Sequence, residues 1–259
     1  RRWVEKLRKQ GVDFRMSHRL VSLTSGKASF EGPEGKIEIQ ANAIILALGG
    51  GSWPQTGSDG AWVETLEKAG VKVSPLAPAN CGWEVAWSSD LAEQLEAKPL
   101  KNVVASAGDK IAPGEIMITR YGMEGGPLYT LGPVLRRMDK PLLTLDFKPT
   151  FAIEKLVGKM ESAKKNFLAE SQYRWKLSES MRLILDHFHG PFSSAEHLAQ
   201  HAKACRIPLT KTRPIEEAIS SSGGVPWQTI NDQLMIKSFP GIFVAGEMID
   251  WEAPTGGSL

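Results

Sequence analysis

The chain has 259 residues, 42% hydrophobic and 23% charged, enough to build one large domain or two of moderate size. Its formal net charge is +2 and no charge run is long, which argues against nucleic-acid binding as the main task. The longest apolar run, residues 43–48, is far too short to cross a bilayer, and Cys81 and Cys205 form no CxxC pair, as expected in a reducing cytoplasm.

The opening RRWVEKLRKQG carries no signal-peptide pattern. It predicts the last turns of an amphipathic helix, with Trp3, Val4 and Leu7 on one side and Gly11 closing it. VDFRMSHRLVSL alternates like a half-buried strand, with Val12, Phe14 and Met16 on one face. KASFEGPEGKIEIQ reads as two short strands around the turn Gly32-Pro33-Glu34-Gly35. ANAIILALGGG is an aliphatic run ending in three glycines, which predicts a strand covered on both faces in a parallel sheet. SWPQTGSDG is loop; AWVETLEKAGVKV predicts a helix capped by Asp59 and closed by Gly70, then a short strand.

From residue 75 to about 150 the texture becomes rich in proline, glycine and short alternating segments, a β-rich region. Residues 151 to about 205 read as three helices, 151–160, 161–188 and 193–205, with Leu177, Met181, Leu183, Ile184 and Phe188 near helical spacing, as in a core-facing stripe. Residues 229–245 return to short strands, ending in GIFVAG. The order predicts an α/β protein in which residues 75–225 are inserted between parts 1–74 and 226–259 of one nucleotide-binding sheet. Strand 242–245 would rejoin the sheet that holds residues 44–48.

Two strand ends could carry chemistry. In ILALGGGSWPQTGSDG, glycines at the carboxyl end of a buried strand serve either a tight turn or the close approach of a ligand. In GEMIDWEAPTGGSL, Glu247 and Asp250 follow a strand, where a carboxylate suits the hydroxyls of a ribose or ribityl chain. Thr255, Gly256 and Gly257 there would open a helix whose N–H groups face an anionic or carbonyl oxygen. The alternative makes the two acids solvated loop residues and Thr255 an ordinary cap. His197, His201 and Cys205 recur at i, i+4 and i+8, but the outer pair lie about 12 Å apart along a helix axis, too far for one metal ion. His187 and His189 mark a helix end, where a cation complements the dipole.

The pairing of IILALGGGSWPQTGSDGAW with SSSGGVPWQTI and FPGIFVAGEMIDWEAPTGG resembles the bacterial FAD-dependent oxidoreductases of aminoacetone-oxidase type, a family that includes flavoproteins acting on bile-acid double bonds. The likeness runs from near Gly11 to Leu259, with its specific motifs at 44–62, 117–130, 221–228 and 241–257. It implies a partial FAD-binding Rossmann-like sheet of the two-dinucleotide-binding-domain type, with an inserted β-barrel-like and helical domain. By the same resemblance Ala47, Gly49 and Gly50 would border the adenosine and pyrophosphate side of FAD. Glu247, following Gly246, would stand near the ribityl–phosphate stretch, and Thr255, Gly256 and Gly257 at the pyrimidine edge of the flavin. Leu20 would meet the adenine through its backbone. In ITRYGMEGGPLY, Arg120 stands where many relatives have His, and Tyr121, Glu124 and Tyr129 are the candidates for substrate contact. Trp53 could stack on a ring or simply pack its loop, and the same alternatives hold for Trp227 and Trp251.

One departure is plain: no GxGxxG occurs in the sequence. Together with ends that fall inside helices, this predicts a fragment truncated on both sides of a flavin site, one that need not hold FAD by itself. The expected function is passage of a hydride, or two electrons, between FAD and a small organic substrate, with NAD(P)H as a candidate donor. Neither a nucleic-acid nor a membrane partner is expected, and the oligomeric state stays open. The competing classes are a flavin-fold binding protein without turnover and a tRNA-interacting relative.

Overall fold

The computed structural model describes residues 2–253, which divide into two compact units. The first takes the chain up to Gly50, then Ser58–Leu76 and Gly223–Trp251; the second takes Gly51–Gly57, Ala77–Ser222 and the chain from Glu252. The architecture is mixed α/β.

In the first unit, α1 (Arg2–Lys9) is closed by Gly11, whose φ of 90° is one that glycine alone adopts at no steric cost. The helix fully buries none of its own side chains: Trp3 and Val4 are exposed and only Leu7 is half-buried. The extended run foreseen from Val12 is a loop: Ser17 turns left-handed and Met16 is 74% exposed. The strand β1 therefore spans only Arg19–Thr24. It pairs antiparallel with β2 (Lys27–Gly32), and β2 with β3 (Gly35–Gln40) across the turn at Pro33 and Glu34.

The aliphatic run gives β4 (Ile44–Leu46). It is followed by α2 (Trp62–Lys68), whose cap is Ala61 and not the foreseen Asp59: Asp59 stands two residues before that cap and accepts from Ala61 N–H at 3.0 Å, a local turn outside the helix. Gly70 ends the helix, and the expected strand begins only at β5 (Ser74–Ala79). The core of this unit joins Leu46, Trp62, Leu66, Ile242 and Val244.

The second unit contains β6 (Trp83–Glu84), α3 (Ser89–Leu95), β7 (Pro99–Ala107), β8 (Lys110–Ile118), β9 (Gly122–Glu124), α4 (Gly126–Leu135) and β10 (Leu142–Asp146). Four further helices follow: α5 (Ile153–Gly158), α6 (Phe167–Arg174), α7 (Glu179–His189) and α8 (Ala195–Lys203), then β11 (Cys205–Pro208). Six strands form one sheet in the order β11-β10-β7-β8-β9-β6, where a barrel was expected; every named pair is antiparallel. Just past β11, Lys211 O accepts from Glu84 N–H at 2.8 Å, linking that segment to β6. The sheet packs Leu100, Ile116, Ile118 and Leu145 against Leu128 and Leu131 of α4 and Ile184 and Leu185 of α7.

Two corrections concern helices. Residues 161–188 are not one helix, because Lys176 adopts φ 53° and Ser178 starts α7 afresh by accepting from Met181 N–H. The β-rich reading of 75–150 missed α3 and α4, whose starts at Ser88 and Gly125 resemble turns. Cys205 lies on β11, not on the helix of His197 and His201. His189 accepts from Arg206 N–H through Nε2, so it is a neutral ring and not a capping cation.

Finally, β12 (Ser220–Gly224) pairs with β5, and β13 (Ile242–Val244) pairs in parallel with β4. Ile45, expected under cover, is 70% exposed, since β4 and β13 form a sheet of two strands among the described residues.

A close backbone approach makes one glycine indispensable in the second unit. A Cβ at Gly122 would lie 2.0 Å from Trp83 O, across the β6–β9 pair. Gly122→Ala is expected to destabilise the protein by about 3 kcal/mol or more, as overpacking against backbone that has no room to move. Urea unfolding followed by circular dichroism measures it; a change below about 1 kcal/mol would show the two strands free to separate.

Candidate functional site

The first cluster is the paired ends of β4 and β13. Ile44, Ile45 and Leu46 stand opposite Ile242, Phe243 and Val244. The pairing outlasts the strands: Ala245 N–H donates to Leu46 O at 2.9 Å. Leu48 N–H then donates to the sulfur of Met248 at 3.1 Å, and Gly50 N–H to Glu247 Oε2 at 3.2 Å. The acid and the glycine turn foreseen as neighbours are therefore in direct contact.

The turn is pinned from its other side as well. Trp62 Nε1–H donates to Gly49 O at 2.9 Å, and Ser58 Oγ lies 2.6 Å from Gly50 O and 3.0 Å from Leu48 O. Gly49 has φ 75°, and a Cβ there would stand 2.5 Å from Ser58 Oγ. Gly246 differs: it also has a positive φ, 68°, but a Cβ on it would meet nothing within 4 Å. Space is left open there beside the main chain.

The remaining residues foreseen for the cofactor fall as follows. Ala47 is exposed at the end of β4. Leu20 lies on β1 opposite Phe30, half-buried in the three-stranded sheet of the same unit. Asp250 is half-buried, and its N–H donates to Val225 O at 2.9 Å. Thr255, Gly256 and Gly257 lie outside the described residues.

The second cluster belongs to the other unit, where β9 turns into α4. Tyr121 Oη–H donates to Glu124 Oε2 at 2.6 Å. The Arg213 guanidinium stacks on the Tyr121 ring, 4.5 Å from its centroid, while bonding Glu84 at 2.8 Å and Glu217 at 2.7 Å. Gly82 makes room for the phenol, since a Cβ there would come within 2.6 Å of Tyr121 Oη. Burial, and then the hydrogen bond to Glu124, pushes the Tyr121 hydroxyl well above the ordinary phenol range. Tyr129, in the first turn of α4, is raised by burial and then by the charge of Glu124. Both are neutral donors at physiological pH. Arg120 instead faces solvent and pairs with Glu96 at 2.6 Å. Trp53 is exposed and left-handed, φ 47°, a conformation that bulky residues rarely hold without a local constraint.

The sequence reading missed a third set in this unit. Asn80, 3% exposed, donates through Nδ2 to Ser220 Oγ at 2.7 Å and to Ala253 O at 2.9 Å. Arg136 pairs with Glu252 and donates to Pro78 O at 3.1 Å. Asn80 Oδ1 and Glu252 Oε1 are buried acceptors without a partner among the described residues. Glu252 sits two residues beyond Asp250 in the motif already singled out; nothing in the local pattern flagged Asn80 or Arg136. Among the described residues no group of three or more His, Cys, Asp or Glu could hold a metal ion.

Gly49→Ala is expected to cost about 2–3 kcal/mol, from the left-handed backbone and the displaced Ser58 hydroxyl. Gly246→Ala should cost only about 1–2 kcal/mol, from the backbone alone. Thermal melts of the two variants check this order. The thiols add a pH dependence: burial pushes Cys81 up to about 11 and Cys205 up to about 12, against 9.0 for a free thiol. A raised value means that the stabilisation is complete below pH 9 and is lost as pH climbs toward 11–12. Melting temperature should therefore fall from pH 9 upward, and less steeply in Cys81→Ala/Cys205→Ala. An equally steep fall in that variant would exclude the thiols as the cause.

Residues 1–259 match the family described as HI0933-like protein Rossmann domain, and the chain belongs to that family. The family is of FAD-binding oxidoreductase type. At the strand ends Gly246 leaves its main chain approachable, and the carboxylate beside it can accept from hydroxyls. The amides of Leu48, Gly50 and Gly51 already donate to Met248, Glu247 and Ser221, and the sequence has no GxGxxG.

Proposed function

Starting from that family membership, we propose that the chain forms part of a flavoprotein oxidoreductase acting on a small organic substrate. Bound FAD would supply the two-electron, hydride-accepting chemistry. The contact between Gly50 and Glu247 carries this reading, because it ties the tips of two parallel strands into one edge at their carboxyl ends. In open α/β sheets that is where nucleotides bind. Ala47, Gly49, Gly50, Gly246, Glu247 and Asp250 are assigned to the cofactor's flank, and Thr255, Gly256 and Gly257 to the flavin's pyrimidine edge. Leu20 is assigned to the adenine.

In the second unit, the six-stranded sheet and its link from Lys211 to β6 support a barrel-like cap that shapes the substrate pocket. Tyr129 holds its proton at Oη and acts there as a neutral donor, while Tyr121 spends its single O–H on Glu124 and presents its oxygen as an acceptor. Arg213 fixes the Tyr121 ring, and Glu124 orients its hydroxyl. This set suits a substrate with an acceptor oxygen. Trp53, held left-handed, is the candidate for stacking on a ring.

Equilibrium dialysis against FAD tests the assignment. Saturable binding is expected, weakened about tenfold or more by Glu247→Ala and by Gly246→Val, in keeping with loss of a charge-assisted hydrogen bond or of open space. Variants that bind as well as the parent would remove these residues from the site. Bleaching of the bound flavin by NADH or NADPH tests the reaction; flavin that no donor reduces would leave a binding protein without turnover.

A further inference from the structure

The cavity between β7, the segment after β10 and the start of α7 belongs to none of the three sets described above. It measures about 530 Å³, within the range of small-molecule sites, and lies wholly inside the second unit. Its floor is apolar: Phe147 and Met181 are buried core residues, and Phe151 is half-buried beside them. Three lysines line it: Lys101, Lys148 and Lys176. No acidic side chain does.

The nearby carboxylates are already engaged. Asp146 pairs with Lys203 at 2.6 Å, and Glu179 with Lys98 at 3.1 Å. Further positive charge stands over Phe151, with Lys155 and Lys159 Nζ at 5.1 and 5.5 Å from its ring centroid. Lys148 is half-buried and spends one N–H on Lys176 O at 3.1 Å, which aims the ammonium and leaves two donors. Burial, and then the neighbouring Lys176 charge, lowers its proton affinity, the signature of a cation lacking a counter-ion. In a chain of net charge +2, three lysines lining one apolar hollow, with two more beside its Phe151, are a local excess and not a reflection of overall composition.

We infer that this cavity binds a small organic anion with an apolar body, its acid head against Lys148, Lys101 and Lys176 and its body on Phe147, Phe151 and Met181. An inorganic anion would leave the apolar floor unused, and a neutral ligand would leave the cations unpaired.

Isothermal titration of the chain with 2-naphthoate, 2-naphthol and inorganic phosphate at pH 7 provides the test. Naphthoate should bind saturably, and naphthol and phosphate each about tenfold more weakly or worse. Naphthoate affinity should fall as salt is raised. Lys148→Met should weaken naphthoate about tenfold or more. Lys101→Gln/Lys176→Gln changes only exposed side chains, so it preserves the fold, and it should weaken naphthoate several-fold. Naphthol binding as tightly as naphthoate, phosphate binding as tightly as naphthoate, or an unchanged affinity in folded Lys101→Gln/Lys176→Gln would each overturn the proposal. So would the absence of saturable naphthoate binding up to about 10 mM, the weak end of specific affinity.

Discussion

Parallel pairing of β4 with β13 brings together residues about 200 positions apart, and the candidate cofactor site exists only because of it. Parallel ladders cannot be closed by a tight turn; they need a long excursion of chain between the partners. Here the ladder continues past the strands through a thioether and a carboxylate, so that Met248 and Glu247 do for the glycine turn what backbone carbonyls did for the strands. Trp62 and Ser58 hold the turn's own carbonyls. The glycines are thus less a flexible loop than a corner fixed by bonds on both sides.

That accounting changes what the glycine turn means. Glycines at a strand end suggest amides offered to a phosphate, yet three of the amides here already have acceptors within the protein. Open space lies instead at Gly246. The chemistry available at this edge is that of an accepting carboxylate and an approachable main chain.

Periodicity and turn chemistry made much of the local structure readable. The hairpin around Pro33, the aliphatic strand before the glycines and the closures at Gly11 and Gly70 all follow from residue types whose conformational preferences are strong. What escaped was set by individual residues leaving the expected basin. Ser17 and Lys176 adopt positive φ although their side chains do not favour it, ending a strand and splitting a helix. The helix α4 was hidden because its start, Gly125-Gly126-Pro127, is also turn vocabulary. Of the site, Glu247 and the glycines were legible as strand-end chemistry. Asn80 and Arg136 were not, because their meaning lies in partners such as Ser220 and Glu252, more than a hundred residues away.

The interrupted path of the first unit has a kinetic side. Bringing β4 and β13 together across a disordered chain of about 200 residues would cost about 4–5 kcal/mol in closure entropy before any contact formed. The second unit, by contrast, draws most of its residues from one unbroken stretch, Ala77–Ser222, rich in neighbouring antiparallel pairs such as β7 with β8. Once that stretch is compact, its two ends are brought near, and the remaining separation behaves like a much shorter tether, each halving of which recovers about 0.6 kcal/mol. Low-contact-order collapse of the middle of the chain is therefore the step that makes the parallel ladder reachable, and a lesion in the second unit's core would slow assembly of the first unit's strand edge.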